Sequence, residues 1–143
     1  MTKAEQIPFP FFPTELAAND SSGESETSQE STPTLTVCSD DEWDDILENV
    51  KERIRFPRGH KVEFRRADQD EGQGMDGWTT KPGRRLFDVA IRREMTYGQT
   101  IDTILHELAH VFNWQEHTPW RNDHSPTFWV YLGEVYCAYH QVR

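Results

Sequence analysis

The residues best suited to chemistry lie within one short stretch, His106-Glu107-Leu108-Ala109-His110. On a helix, residues four apart lie one turn from each other, with their β-carbons about 5–6 Å apart. Two imidazole nitrogens at that spacing can reach one divalent cation at about 2.0–2.1 Å. Glu107 is rotated by about 100° from the first histidine, so its carboxylate can reach a water on that ion more readily than the ion itself. The motif predicts a metal centre in which His106 and His110 are ligands and Glu107 is the general base.

A catalytic zinc site needs a third protein ligand and one open position. The metzincin arrangement is excluded, because Glu116 stands where its third histidine would be. We favour His124, which directly precedes a predicted helix and could fold back over the first two ligands. Glu134, on that following helix, is the alternative. Asp123 could act as a ligand in place of His124 or could orient it.

Three predicted helices must position these side chains. Ser39 and Glu42 have the spacing of a capping box ahead of an apolar stripe, which predicts a first helix. Thr96 and Gln99 repeat this spacing and predict that the metal-binding helix runs to about residue 114. Its apolar stripe turns both histidines towards a cleft or solvent. Ser125 is the predicted N-cap of the last helix.

Alternating apolar and polar residues between the first two helices predict a small sheet. The stretches 61–66, 75–80 and 86–93 read as strands, and the residues 81–84 between the last two (KPGR) read as a turn. We expect three strands, at least partly antiparallel, in an α+β domain with a zincin-like arrangement. If Leu86–Arg93 is an exposed edge, it could bind an extended peptide by strand addition.

The first 37 residues differ in composition from the rest of the chain. They are rich in Ser, Thr, Glu and Pro, with few apolar residues after Leu16, which predicts a disordered acidic tail and leaves 38–143 as one domain. Residues 1–50 carry twelve acids against Lys3, a charge of −11, whereas residues 51–94 carry a charge of +4. A solvated surface of mixed charge is the simpler interpretation of this basic middle, and association with DNA stays open.

Cysteine content and hydropathy indicate the cellular compartment in which the protein is expected. Cys38 and Cys137 do not form a disulfide framework, and free thiols fit a reducing environment. The N-terminal stretch lacks the pattern of a secretory signal, and no apolar run has the length of a membrane span. We expect a soluble, intracellular and cytoplasmic monomer that does not associate with membranes; if the protein is viral, the compartment is that of the host cell.

The motifs together resemble the SprT-like (Spartan-type) minimal zinc metalloproteases over about residues 40–140. In that family the H-E-x-x-H helix is followed by a His-Gly-x-x-Phe pattern that opens the next helix, and here the stretch from His124 to Phe128 reads HSPTF. Ser125 replaces the usual glycine, and the zinc-ribbon module that often follows is not in this sequence. The resemblance implies a zincin fold, a Zn²⁺-dependent peptidase, and DNA-bound proteins as substrates.

Two other functions stay open at this point. The site could stabilise a non-catalytic binding module, in which a fourth protein ligand such as His117 would close the zinc coordination. The same metal-and-water chemistry could also hydrolyse a substrate that is not a peptide. Glu107 discriminates against the first alternative, because a structural zinc site has no use for a carboxylate in that position.

Overall fold

The computed structural model of the chain describes residues 35–114 and 124–142. Both stretches belong to one unit, which spans Thr34–Arg143. Its regular elements, in chain order, are α1 (Asp40–Arg53), β1 (Lys61–Ala67), β2 (Gly77–Gly83), β3 (Leu86–Arg92), α2 (Tyr97–Phe112) and α3 (Pro126–His140). The fold class is therefore α+β, with three helices and a small three-stranded sheet in this part of the chain, as predicted. The predicted tail, residues 1–37, lies outside the described residues except for its last three.

Both predicted capping boxes are present. The backbone N–H of Glu42 donates to Ser39 Oγ at 3.1 Å, and the Ser39 N–H donates back to the Glu42 carboxylate at 2.9 Å. Thr96 and Gln99 make the same pair of bonds at the start of α2, at 3.2 and 3.0 Å. Each box satisfies two backbone groups that a helix start leaves without partners. These local signals set where α2, the helix that carries the motif, begins.

The strand order is β1-β3-β2, so the expectation that Leu86–Arg93 is an exposed edge is wrong. β3 pairs in parallel with β1 on one side and antiparallel with β2 on the other. Val89, Ala90 and Ile91 are each fully buried, so this strand is covered on both faces. Such a continuous apolar run is typical of a central strand, and alternation is typical of an exposed one.

The turn between β2 and β3 also differs from the prediction of a turn over residues 81–84. β2 continues through Gly83, with a register shift between Thr80 and Gly83, and the turn consists of Arg84 and Arg85. Pro82 fits inside this strand because β2 is at the edge of the sheet, where a residue without an N–H need not break the ladder.

The hydrophobic core lies between one face of the sheet and the helices. Gly77 lets β2 come close to α2, since a β-carbon at that position would lie only 2.7 Å from Thr103 Cγ2. This close approach brings the middle of β2 beside the motif on α2. No helix in the described part of the chain is long and apolar enough to cross a membrane.

Candidate metal centre

Three histidines converge at the C-terminal half of α2 and the start of α3. The Nε2 atom of His106 lies 3.3 Å from Nε2 of His110 and 3.2 Å from Nε2 of His124. One ring nitrogen from each histidine lies within 4.8 Å of the other two. The three residues predicted as ligands are therefore together, close enough to bind one metal ion.

Two of the three distances between these nitrogens fit a tetrahedral metal ion, and both involve His106. Two nitrogens at about 2.0–2.1 Å from an ion, with a tetrahedral angle between them, lie about 3.3 Å apart. The two measured distances, 3.3 and 3.2 Å, agree with that value. In the described residues, no fourth histidine, cysteine or carboxylate joins the group. The donor set suits an ion that accepts three imidazoles.

The surroundings of His106 and His110 favour their unprotonated form. Burial first, and then the neighbouring rings of His106 and His124, lowers the pKa of His110 to about 4. Burial also lowers the pKa of His106, with His124 as a second cause. Both imidazoles are thus neutral at pH 7, the form that has a nitrogen lone pair for a cation.

Phe128 forms the base of the cluster. This fully buried ring has its centroid 5.0 Å from the ring of His106, 4.5 Å from His110 and 4.8 Å from His124. A rigid aromatic surface against all three imidazoles restricts their rotation and excludes water from that side of the site. The apolar residue of the predicted HSPTF stretch thus has a direct structural role.

Glu107 is buried, with 5% of its surface exposed, and receives a hydrogen bond from β2. The Thr79 hydroxyl donates to Glu107 Oε2 at 2.7 Å and lies 3.3 Å from the Glu107 backbone oxygen. A carboxylate removed from water needs such partners, because an unpaired buried charge is costly. Thr79 therefore fixes the orientation of the predicted general base.

Sequence reasoning did not single out Thr79. The alternation along β2 puts Thr79 and Gly77 on one face, but only the packing of β2 on α2 says that this face contacts Glu107. Asn113, the C-cap of α2, contacts the start of α3 at Ser125 and Thr127.

The alternatives for the third ligand have separate outcomes. Glu134 is exposed on α3 and does not belong to the histidine group. Asp123 and His117 lie outside the described residues. Asp102, which shares the polar side of α2, is exposed and lines a different concavity with Asp76.

Comparison of the chain with protein-family models, curated protein sequences and solved structures gave no significant match. The resemblance to the SprT-like proteases therefore stays a prediction that depends on the motifs themselves. What the structure adds is independent of that resemblance: a cluster of three histidines close enough to bind one metal ion, and a buried carboxylate directly after its first member.

Proposed function

We propose that this chain is a zinc-dependent metallopeptidase with a zincin-like fold, in which His106, His110 and His124 hold the metal and Glu107 is the general base. The observation that carries the proposal is the buried Glu107 carboxylate, which accepts a hydrogen bond from Thr79 and directly follows His106 in the three-histidine cluster. Burying a carboxylate costs free energy, and the carboxylate has no role in a purely structural metal site. A carboxylate retained there is best explained by proton transfer.

Three imidazoles leave one position of a tetrahedral zinc open, where the bound ion would polarise a carbonyl and lower the pKa of a water. The chain supplies the remaining groups. Glu107 takes the proton of the attacking water and passes it to the leaving amine of the peptide. The hydrogen bond from Thr79 to Oε2 holds the plane of the carboxylate during both transfers. Phe128 keeps water away from the opposite side of the imidazoles.

An exposed strand edge beside the site favours a peptide over other substrates. Within the described residues, β2 pairs with no strand other than β3, so the other side of residues 77–80 has no partner strand. Thr79 belongs to this strand, so the edge runs past Glu107. An extended peptide that adds to β2 would make backbone hydrogen bonds along residues 77–80. This edge takes the role that the sequence had suggested for β3.

The proposal is tested by replacing Glu107 with glutamine, which keeps the shape of the side chain and removes the base. We expect the purified Glu107→Gln protein to contain as much zinc as wild type and to cleave casein at least about 100-fold more slowly. Glu134→Gln is the matched control, because Glu134 is an exposed glutamate on α3. It should leave both zinc content and cleavage unchanged.

Each alternative has its own outcome. If Glu107→Gln cleaves as fast as wild type in zinc-replete buffer, the base assignment is wrong. Zinc uptake without cleavage of any peptide by the wild-type chain would favour a binding module or a non-peptide substrate. Loss of zinc in Glu134→Gln would move the third ligand from His124 to Glu134.

We further propose that the substrates are DNA-associated proteins, on the strength of a group of arginines at one end of the sheet. Four exposed arginines make no ion pair with any acid in the described residues: Arg55, Arg58, Arg84 and Arg85. The Lys61 N–H donates to the Arg85 carbonyl at 2.7 Å, so the segments that carry these arginines are adjacent. Unneutralised guanidinium groups at one end of the sheet suit a phosphate backbone.

A further inference from the structure

The third histidine differs from the other two in how its backbone is held. His106 and His110 lie within α2, whereas His124 is an exposed turn residue two positions before the first residue of α3. A side chain outside regular structure keeps a productive position only where neighbouring groups support it. The position of His124 therefore depends on how the start of α3 is attached to the end of α2.

Three side chains join these two helix ends in a closed ring of hydrogen bonds. Asn113 Nδ2 donates to Ser125 Oγ at 3.2 Å, and Thr127 Oγ1 donates to Asn113 Oδ1 at 2.7 Å. The Ser125 and Thr127 hydroxyl oxygens lie 2.8 Å apart. Because the Thr127 hydrogen is directed at Asn113, Ser125 donates to Thr127. Each member then donates once and accepts once, an arrangement in which hydrogen bonds strengthen one another.

Ser125 does not perform the usual role of a serine at its position. It is the N-cap residue of α3, where a serine hydroxyl normally accepts a hydrogen bond from a backbone N–H of the first turn. Ser125 makes no such capping bond. Its hydroxyl instead contacts Asn113 and Thr127. The side chain thus contributes to the junction of two helices and not to the start of one.

We propose that Asn113, Ser125 and Thr127 are positioning residues that set the metal affinity of the site by holding His124 against α2. The inference rests on the proposed function, in which His124 is the third zinc ligand. Asn113 is the C-cap of α2, three residues after His110, and Ser125 directly follows His124. The ring therefore connects Asn113, which is close to His110, with Ser125, which is next to His124. Without it, the start of α3 can shift and carry His124 away from the other two nitrogens.

The test measures zinc affinity of the full chain by competition with a chromophoric chelator, so it does not depend on catalysis. We expect Asn113→Ala, Ser125→Ala and Thr127→Val each to bind zinc about 10- to 100-fold more weakly than wild type, the range found for groups that orient metal ligands. Thr127→Ser retains the hydroxyl and should keep most of the affinity. Thr80→Val, which removes an exposed threonine hydroxyl from β2, should leave it unchanged.

The melting temperatures of the metal-free proteins separate positioning from general stability. We expect them to match wild type, because Ser125 caps no backbone group of α3 and the ring is at the surface. If Asn113→Ala does not fold, Ser125→Ala distinguishes positioning of His124 from general stability, since this change removes a single oxygen atom.

Two results would refute the positioning role of the ring and leave the proposed metal centre intact. In the first, all three variants keep the zinc affinity of wild type, whereas His124→Ala loses it. In the second, each loss of zinc affinity is matched by an equal loss of stability in the metal-free protein. A wild-type chain that takes up no zinc would instead refute the proposed function and, with it, this inference. Cobalt(II) spectra of Thr127→Val and Thr127→Ser provide a second reading, because ligand geometry changes the visible absorption. Identical spectra for wild type and Thr127→Val would count against positioning.

Discussion

At the scale of single residues, the site combines neutral nitrogens with a carboxylate that has been withdrawn from solvent. The pKa of His110 is lowered to about 4, chiefly by burial, so that protons would not compete with a metal ion for this nitrogen near neutral pH. Glu107 is held by the hydroxyl of Thr79, 28 positions earlier in the chain. The carboxylate can serve as a base only while its orientation towards the metal site is kept. In the proposed mechanism, Thr79 is therefore the residue through which β2 would affect catalysis.

Replacing Thr79 with valine tests this role, because valine keeps the shape and β-branching of threonine and lacks the hydroxyl. A hydrogen bond to a charged group contributes about 1.5–3 kcal/mol, so we expect peptide cleavage to slow by about tenfold or more. Zinc content should not change, since Thr79 is not a ligand. Thr79→Ser should restore most of the rate. A Thr79→Val protein as active as wild type would show that the Glu107 carboxylate is oriented by other groups.

The motif predicted His106, Glu107 and His110 because all of their geometry is contained in one helical turn. His124 could be proposed from its place before a helix, although Glu134 stayed open until the fold was known. Thr79 could not be predicted, because its contact depends on which face of which strand packs on α2. Short-range spacing thus predicted the histidine cluster, and the supporting groups required tertiary structure.

At the scale of elements, the packing of α3 on α2 assembles the site. Phe128 connects the two helices, since it is fully buried on α3 and contacts both histidines of α2. The His124 ring lies against the same aromatic ring at 4.8 Å. One core side chain therefore contributes to both the stability of the helix pair and the arrangement of the ligands.

Truncation of Phe128 should for that reason affect stability and metal binding together. We expect Phe128→Ala to lower the free energy of unfolding of the metal-free protein by about 3–5 kcal/mol, as for other large-to-small changes of a buried phenylalanine. Val130→Ala on the same helix is the control, because Val130 is 60% exposed, and it should change stability by less than about 0.5 kcal/mol. Urea unfolding of the two metal-free variants measures both changes in the free energy of unfolding. Equal losses in the two variants would contradict the packing role of Phe128.

The elements themselves were predicted with unequal success, and the reason is physical. Both capping boxes involve residues three apart, so the starts of α1 and α2 could be read directly from the sequence. The order of the strands could not, because β1 and β3 pair in parallel although β2 lies between them in the chain. The turn was misplaced because Pro82 and Gly83 favour a turn locally, whereas the edge of the sheet tolerates both within β2.

At the scale of the whole molecule, the distribution of charge is more informative than its total. The chain carries a net charge of −10, yet residues 51–94 are basic. Several arginines in that region are paired with acids, among them Arg65 with Asp88 and Arg93 with Asp68. Arg84 and Arg85, in the turn between β2 and β3, have no such partner in the described residues. The unneutralised positive charge is thus concentrated at one end of the sheet.

This arrangement predicts a binding of single-stranded DNA that weakens with salt and depends on the turn. Each phosphate contact contributes about −0.7 to the slope of log K against log salt for single strands, so Arg84→Ala/Arg85→Ala should make that slope shallower by about 1.4. Fluorescence anisotropy of a labelled oligonucleotide between about 50 and 200 mM salt measures it. Arg92→Ala/Arg93→Ala is the control, because these neighbours lie at the other end of β3 and pair with acids. If the control pair lowers the slope as much as the turn pair, or if wild type does not bind at the lowest salt, DNA has no place at this surface, and the substrates of the site must be sought among proteins unconnected with DNA.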